Sequence, residues 1–203
     1  MGKNIDKCLR LCYNEENLRN RPPMDFYETG AYSMPFSLLP KVVAHAVTDL
    51  TPSYLHGKNI RLLMLDFDNT IVPYTTNIPT AKMQVWLETM MESDISVCVV
   101  SNSKNDRVKK FCDQYGLGCI TYAKKPFADG ICRCIAEYEL SPEECALAGD
   151  QIFTDVLGAN CAGVYSILVK SIHNHNFWLK LRHVAELPFI FTARKRRLHY
   201  EKP

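Results

Sequence analysis

The sequence predicts an α/β protein: a mainly parallel five-stranded sheet with helices on both faces. Two observations carry this. Short apolar runs such as LLML and VCVV alternate with stretches of helical character. The runs are also apolar at successive positions, not at every second one. A strand of that kind needs cover on both sides, which is the condition of a parallel sheet wrapped by its own crossover helices.

Taken in order, residues 1–34 show no clear period and contain RPPMDFYETG, so they read as an extension to the domain. Phe36, Leu39, Val43, Val47 and Leu50 then recur at helical spacing and predict an amphipathic helix at 36–50 that packs on the domain. IRLLMLD is the first buried strand, and a helix follows near PTAKMQVWLETMMES, where Pro79 suits a first turn. ISVCVVS is the second strand and KNDRVKKFCDQYG the next helix, ending in Gly116. GCITY is the third strand, followed by a helix around DGICRCIAEYE. Ser141-Pro142-Glu143-Glu144 has capping-box spacing and starts one more short turn. CALAGD is the fourth strand, TDVLGANCAG a helix and VYSILVK the fifth strand. The domain therefore spans 35–175 and leaves a tail at 176–203.

Composition fits this reading. Of 203 residues, 47% are hydrophobic and 23% charged, which is ordinary for a folded domain and unlike a disordered chain. No apolar run approaches the roughly 18 to 20 residues of a membrane helix, and the N-terminus lacks the apolar core of a secretion signal. The expected location is the cytoplasm. Nine cysteines are scattered through apolar segments without a CxxC pair, so reduced buried thiols are expected over a zinc or disulfide framework. Charge is uneven. From Lys170 onward there are eight Lys/Arg and two Asp/Glu, a net of +6 within an overall +2.

Ligands of open parallel sheets bind at the carboxyl ends of the strands. Those ends read Asp66-Phe67-Asp68-Asn69-Thr70, Ser101-Asn102-Ser103, Lys124-Lys125-Pro126 and Gly149-Asp150, with Thr154-Asp155 just beyond. Each alone is an ordinary turn or cap. Together they bring four carboxylates, a hydroxyl, an amide and an ammonium to one edge. A carboxylate cluster of that size is costly unless it holds a hard cation.

This ordered set resembles the haloacid dehalogenase (HAD) superfamily of phosphohydrolases, from about Arg61 to Lys170. DFDNT matches its first motif, VVSN the second, the lysine before Pro126 the third and GDQIFTD the fourth. The Asn-Thr after the second aspartate, the AKKP string and GDQIFTD are similar to the HAD-IIIA group and its YqeG-like branch, itself similar to mitochondrial phosphatidylglycerophosphate phosphatases. The resemblance implies a Rossmann-like fold and a Mg²⁺-dependent phosphomonoester hydrolase. Asp66 is the implied nucleophile, forming an aspartyl-phosphate, and Asp68 the acid/base. Ser101, Asn102 and Lys125 are the implied phosphate-binding groups, with Lys124 an alternative to Lys125. Asp66, Asp68 through its backbone carbonyl, Asp150 and Asp155 are the implied metal site, the first three as direct ligands and Asp155 by holding a metal-bound water or by orienting Lys125. An aspartate rather than a threonine at position 68 implies a phosphoenzyme that is rapidly hydrolysed. Asn69 and Thr70 shape the loop.

Only 34 residues separate Asp68 from Asn102, and 22 separate Ser103 from Lys125, too few for a cap domain in either gap. The site is therefore expected to be open, with the segment IVPYTTNIPT as a flap and Tyr74 and Thr75 near the substrate. An open site suits a large or surface-presented phosphate. The basic Arg194–Arg197 run suits transient contact with an anionic membrane, placing the protein peripherally at the inner membrane face. Three alternatives stay open: a soluble phosphate substrate, a phosphoprotein substrate, and a nonenzymatic RNA- or ribosome-binding module on the same fold. His173 and His175 form an HxH without an evident third ligand and read as solvent-facing.

Overall fold

The computed structural model describes residues 37–104, 106–172 and Thr192. The expected extension at 1–34, the pair His173 and His175, and the basic tail (apart from Thr192) lie outside the described residues. The elements are β1 (Val42–Ala44), a 3-10 turn (Val47–Asp49), α1 (Pro52–Gly57), β2 (Leu62–Leu65), α2 (Ala81–Met91), β3 (Ser96–Val100) and α3 (Asp106–Tyr115). They continue with β4 (Gly118–Ile120), α4 (Asp129–Glu137), a 3-10 turn (Pro142–Glu144) and β5 (Cys145–Gly149). A π-helical turn (Ile152–Val156), α5 (Leu157–Ala162) and β6 (Tyr165–Val169) are the last of the described elements.

All strands run parallel in one sheet, in the order β1-β6-β5-β2-β3-β4. Strand alternation divides the core in two. Leu63, Leu65, Val97, Val99, Ala146 and Ala148 point to one face and pack with Trp86, Leu87, Met90, Val108 and Phe111 of α2 and α3. Leu62, Met64, Cys98, Val100, Cys145 and Leu147 point to the other, against Ile131 and Ile135 of α4 and Ala159 and Ala162 of α5. This is why the runs are apolar at every position. Chain order reverses between β2, which continues to β3 on one side, and β5 on the other, so the carboxyl ends of β2 and β5 flank the opening. The ladder between them continues one residue past β2, as Asp66 N donates to Ala148 O at 2.9 Å.

Two expectations are corrected. Among the described residues the sheet has six strands, not five, and the predicted helix at 36–50 is absent from its described part, residues 37–50: β1 and a 3-10 turn stand there. Pro40 lacks the N–H a helix interior needs, and Val42 and Val43 are β-branched. Tertiary structure decided the rest. The open edge of β6 accepts β1 in register, Val42 opposite Ile167 and Ala44 opposite Val169. Ser166, fully buried on β6, donates to Asn160 Oδ1 at 2.8 Å, and Asn160 Nδ2 donates to the carbonyls of Ser37 (2.7 Å) and Leu39 (3.1 Å). The apolar residues that mimicked a helix serve both sides of the sheet: Val47 and Leu50 on one, Val43 on the other.

Cys98, Cys112, Cys119, Cys134, Cys145 and Cys161 are free thiols, as expected, whereas Cys132 is disulfide-bonded. Among the described residues no helix is long and apolar enough to cross a membrane. No cap domain is inserted among them; the segment 71–80, expected as a flap, lies between β2 and α2.

Candidate active site

Two carboxylates at one strand end repel each other unless each has its own counter-charge. The fold separates them by giving each a different cation. Phe67 points into the core, fully buried, edge-on to Phe111 at 5.1 Å, which leaves Asp66 and Asp68 at the open edge. Lys125 Nζ lies 2.7 Å from Asp66 Oδ1 and 2.7 Å from Asp155 Oδ1, its side chain 1% exposed. Asp68 turns the other way, with Oδ1 3.1 Å from Arg107 Nη1.

The Lys125 loop is built for this placement. Tyr122 and Lys124 adopt positive φ on either side of Ala123, and the Lys125–Pro126 peptide is cis. Asn102 locks the backbone of Lys125 from both sides: its Oδ1 accepts from Lys125 N at 2.7 Å and its Nδ2 donates to Lys125 O at 2.8 Å. Gly130 N donates to Ala123 O at 3.2 Å, and a side chain at Gly130 would run into the Ala123 backbone, so only glycine lets α4 approach the loop this closely. Lys125 is thereby turned inward and Lys124 outward.

On the other side of Asp66 the fourth motif closes in. Asp155 is 1% exposed, on the π-helical turn, and its Oδ2 accepts from Gln151 N at 3.1 Å. A Cβ at Gly149 would overlap the Asp155 carboxylate, so glycine at the end of β5 is what admits that side chain. Ligand oxygens of Asp66, Asp150 and Asp155 all lie within 4.8 Å of one another, and all three residues are buried. Burial, repulsion from Asp155 and Asp150, and only partial relief from Lys125 push the Asp66 carboxyl up to about 8. Asp66 Oδ2 accepts no hydrogen bond. A buried set of carboxylates this short of positive charge fits a hard divalent cation, with Asp66, Asp150 and Asp155 as its side-chain holders. The Asp68 side chain stands outside this cluster.

Burial works against the charge on Lys125, but Asp155 and Asp66 outweigh it and hold the ammonium above its ordinary lysine value. Half-buried Asp68 is raised by desolvation, against the pull of Arg107 and Lys125. Ser101 is buried at the end of β3, and its Oγ accepts from Ser103 N at 3.1 Å, which leaves its proton to be donated. Asn69 adopts positive φ (62°), and its Oδ1 accepts from Tyr74 N at 3.2 Å, so it shapes the flap as expected.

The residues expected at the site therefore converge: Asp66, Lys125, Asp150 and Asp155 in one cluster, Asp68 beside it, and Ser101 and Asn102 at the adjoining strand end. Sequence reasoning missed Arg107. It sits in the first turn of α3, where a basic residue resembles any other on a solvated helix, and its partners in the flap are more than 30 positions away.

The chain matches the family described as "Mitochondrial PGP phosphatase" over residues 32–172. It is 32% identical over 163 residues to "Probable phosphatase YqeG" of Bacillus subtilis, covering 80% of this chain and 95% of that protein. It is 31% identical over 148 residues to "Phosphatidylglycerophosphatase GEP4, mitochondrial" of Saccharomyces cerevisiae, covering 64% of this chain and 77% of that one. A solved structure of a HAD subfamily III A hydrolase from Legionella pneumophila overlaps 70% of this chain and 93% of its own, at 14% identity and a TM-score of 0.46, a likeness too distant to bear on function.

Proposed function

The chain belongs to the mitochondrial PGP phosphatase family and is a HAD-type phosphoric monoester hydrolase of the YqeG-like branch, and from that premise we propose a Mg²⁺-dependent reaction through an aspartyl-phosphate on Asp66, acting on a large or surface-presented phosphomonoester. Phosphatidylglycerophosphate is the substrate to test first, since the yeast relative's name specifies a phosphatidylglycerophosphatase. The observation that carries the reading is Lys125 Nζ at 2.7 Å from both Asp66 and Asp155, with Asp150 completing the cluster and Asp68 held apart.

Each residue's work follows from its surroundings. Asp66 presents the attacking carboxylate oxygen at the end of β2 and takes the phosphoryl group, splitting one difficult displacement into two. Asp66, Asp150 and Asp155 would hold Mg²⁺, which would supply charge neutralisation and alignment of the phosphoryl group. Lys125, kept charged by its partners, offsets the negative charge that builds up between nucleophile and phosphate. Ser101 donates its hydroxyl proton to a phosphoryl oxygen. Asn102 orients the Lys125 loop through both backbone bonds. Asp68 gives a proton to the leaving oxygen and then takes one from the water that hydrolyses the acyl-phosphate. Its burial-raised pKa suits a carboxyl that has to hold a proton before passing it on.

The test is phosphate release from an aryl phosphate and from phosphatidylglycerophosphate in anionic vesicles, with and without Mg²⁺. Asp66→Asn should abolish Mg²⁺-dependent turnover on both, and the vesicle substrate should be favoured. Turnover on the aryl phosphate alone moves the substrate to soluble or protein phosphates. Turnover that survives Asp66→Asn removes the covalent mechanism.

A further inference from the structure

Seven large hydrophobic side chains are exposed among the described residues, and their placement is uneven. Five belong to loops at the carboxyl edge of the sheet, the edge onto which the carboxylate cluster opens. Tyr74 and Ile78 (73% exposed) are on the flap, Tyr122 and Phe127 (68% exposed) flank the Lys125 turn, and Ile172 follows β6. The other two, Val85 and Met91, are on α2. One exposed hydrophobic residue is ordinary, but five on the loops of one edge mark a surface with a use.

The backbone under these side chains is already paired. Tyr74 N donates to Asn69 Oδ1 (3.2 Å), Ile78 N to Thr76 Oγ1 (3.1 Å) and Tyr122 N to Ser103 O (3.3 Å). Phe127 N donates to Lys124 O and Ile172 N to Asn69 O, both at 2.9 Å. Asn69 thus ties the flap to the segment after β6, and Ser103 ties the β3 loop to the β4 loop. Loops joined in this way need little ordering on contact. Their N–H groups are satisfied within the chain, so the rim can leave water without orphaning them.

Charge gives the rim a direction. The exposed charges on these loops are lysines: Lys104, Lys124 and Lys170. Asp106 and Asp129 lie beyond them in the first turns of α3 and α4, where a helix N-terminus offsets negative charge. The amino edge is opposite in kind, with Glu92, Asp94, Glu139 and Glu143 exposed against Lys58 and Arg61, and Arg61 is taken by Glu144.

We propose that the carboxyl-edge rim docks the protein on an anionic lipid bilayer: its five hydrophobic side chains enter the headgroup boundary, its lysines meet lipid phosphates, and the active site opens onto the membrane surface. Hydrophobic burial and attraction between lysines and anionic lipid add together at such a boundary. A fluid phase also adapts to side chains spread over three loops, whereas a protein partner has to match their shape. This contact belongs to the folded domain and differs from one made through the Arg194–Arg197 run. It goes beyond the reaction chemistry and is read without it.

The experiment is co-sedimentation of the full chain with phosphatidylserine–phosphatidylcholine vesicles in EDTA, where every lipid phosphate is a diester. Wild type should bind these vesicles and bind pure phosphatidylcholine less. Phe127→Ser combined with Ile172→Ser should lower the partition coefficient by about 10- to 100-fold, as expected when two such side chains are partly withdrawn from water. Turnover of a soluble aryl phosphate with Mg²⁺ should stay at the wild-type rate in that variant, which shows that it folds. Val85→Ser, a comparably exposed change on α2, should bind as wild type does. Phe127→Trp should add a fluorescence component quenched by lipids brominated on their acyl chains. Binding that survives the double substitution, falls equally in Val85→Ser, or is lost only when Arg194–Arg197 are replaced by alanine overturns the proposal. So does a wild type that ignores vesicles, and self-association through Phe127 would then make a second copy the occupant. Asp66→Asn separates the surface from the reaction: it should abolish turnover and leave vesicle binding intact. Turnover that survives Asp66→Asn removes the covalent mechanism and leaves the docking surface standing on its own result.

Discussion

Strand β2 has an ion pair near each end, and the two differ in nearly every physical respect. Before its amino end, Arg61 Nη1 lies 2.9 Å from Glu144 Oε1, with side chains 60% and 24% exposed. Beyond its carboxyl end, Lys125 lies 2.7 Å from Asp66 and from Asp155, with all three groups withdrawn from solvent. The first pair holds the Glu144 carboxyl below its ordinary value, Arg61 being the main cause and Ser141 adding to it. The second leaves Asp66 above its ordinary value despite a lysine in contact, because burial and two neighbouring carboxylates outweigh that lysine. An exposed pair is a small local stabilisation. A buried cluster with excess negative charge is a standing cost, and a site that has to bind a cation and a phosphate is where such a cost has a function. Open space does not mark the chemistry. A groove of about 490 Å³ lies at the amino edge, lined by Ser93, Ser96, Gly118 and Tyr138, away from the carboxylate cluster.

The comparison breaks most sharply at Lys125. Lys125→Met leaves Asp66 and Asp155 facing each other without their cation, and we expect a loss of about 3–5 kcal/mol. The urea midpoint in EDTA measures it, and a loss under about 1 kcal/mol means that the two carboxylates protonate at no cost. Next comes Gly149→Ala, whose Cβ displaces the Asp155 carboxylate. It should cost about 1–3 kcal/mol through overpacking, read in the thermal midpoint, and reduce turnover as Asp155 shifts.

The third prediction concerns pH. Asp66 rises from 3.8 to about 8 on folding, so the folded protein holds this proton more tightly than the unfolded chain does. The stability this confers is present below about 3.8 and is lost as pH rises through about 8. Thermal midpoints of the metal-free protein between pH 5 and 9 should fall with this slope, Mg²⁺ should reverse the fall at the alkaline end, and Asp66→Asn should flatten it. A slope unchanged in Asp66→Asn assigns the titration to another group. The smallest effect belongs to the amino end. Arg61→Ala should cost less than about 1 kcal/mol, diminish further in salt and leave turnover intact.

How far the sequence reached depends on how local each signal is. Asp66, Asp68, Ser101 and Asp150 are legible because each lies within three residues of a strand's carboxyl end, and parallel strands deliver their ends to one edge, whereas Lys125 and Asp155 stand five and six positions beyond β4 and β5. The choice of Lys125 over Lys124 was not legible, since it depends on the positive φ of Tyr122 and Lys124 and on the clamp from Asn102, 23 positions away. Arg107 was invisible for the same reason: its partners are the flap carbonyls and Asp68. β1 is not legible because Val43 also fits a helical period with Leu39, Val47 and Leu50 until an open strand edge is there to receive it.

The sequence by itself determined the layered α/β architecture, the four helices that link the strands from β2 to β6, and which residue types meet at the carboxyl edge. Those follow from which positions are apolar and from the short-range rule that a strand's end leads into a loop. Only the tertiary structure decided which cation serves which carboxylate, why Gly149 and Gly130 have to be glycines, and that β1 completes the sheet. Each of those is a contact between segments far apart in the chain, and its energy depends on distances of a few ångströms that no local pattern encodes.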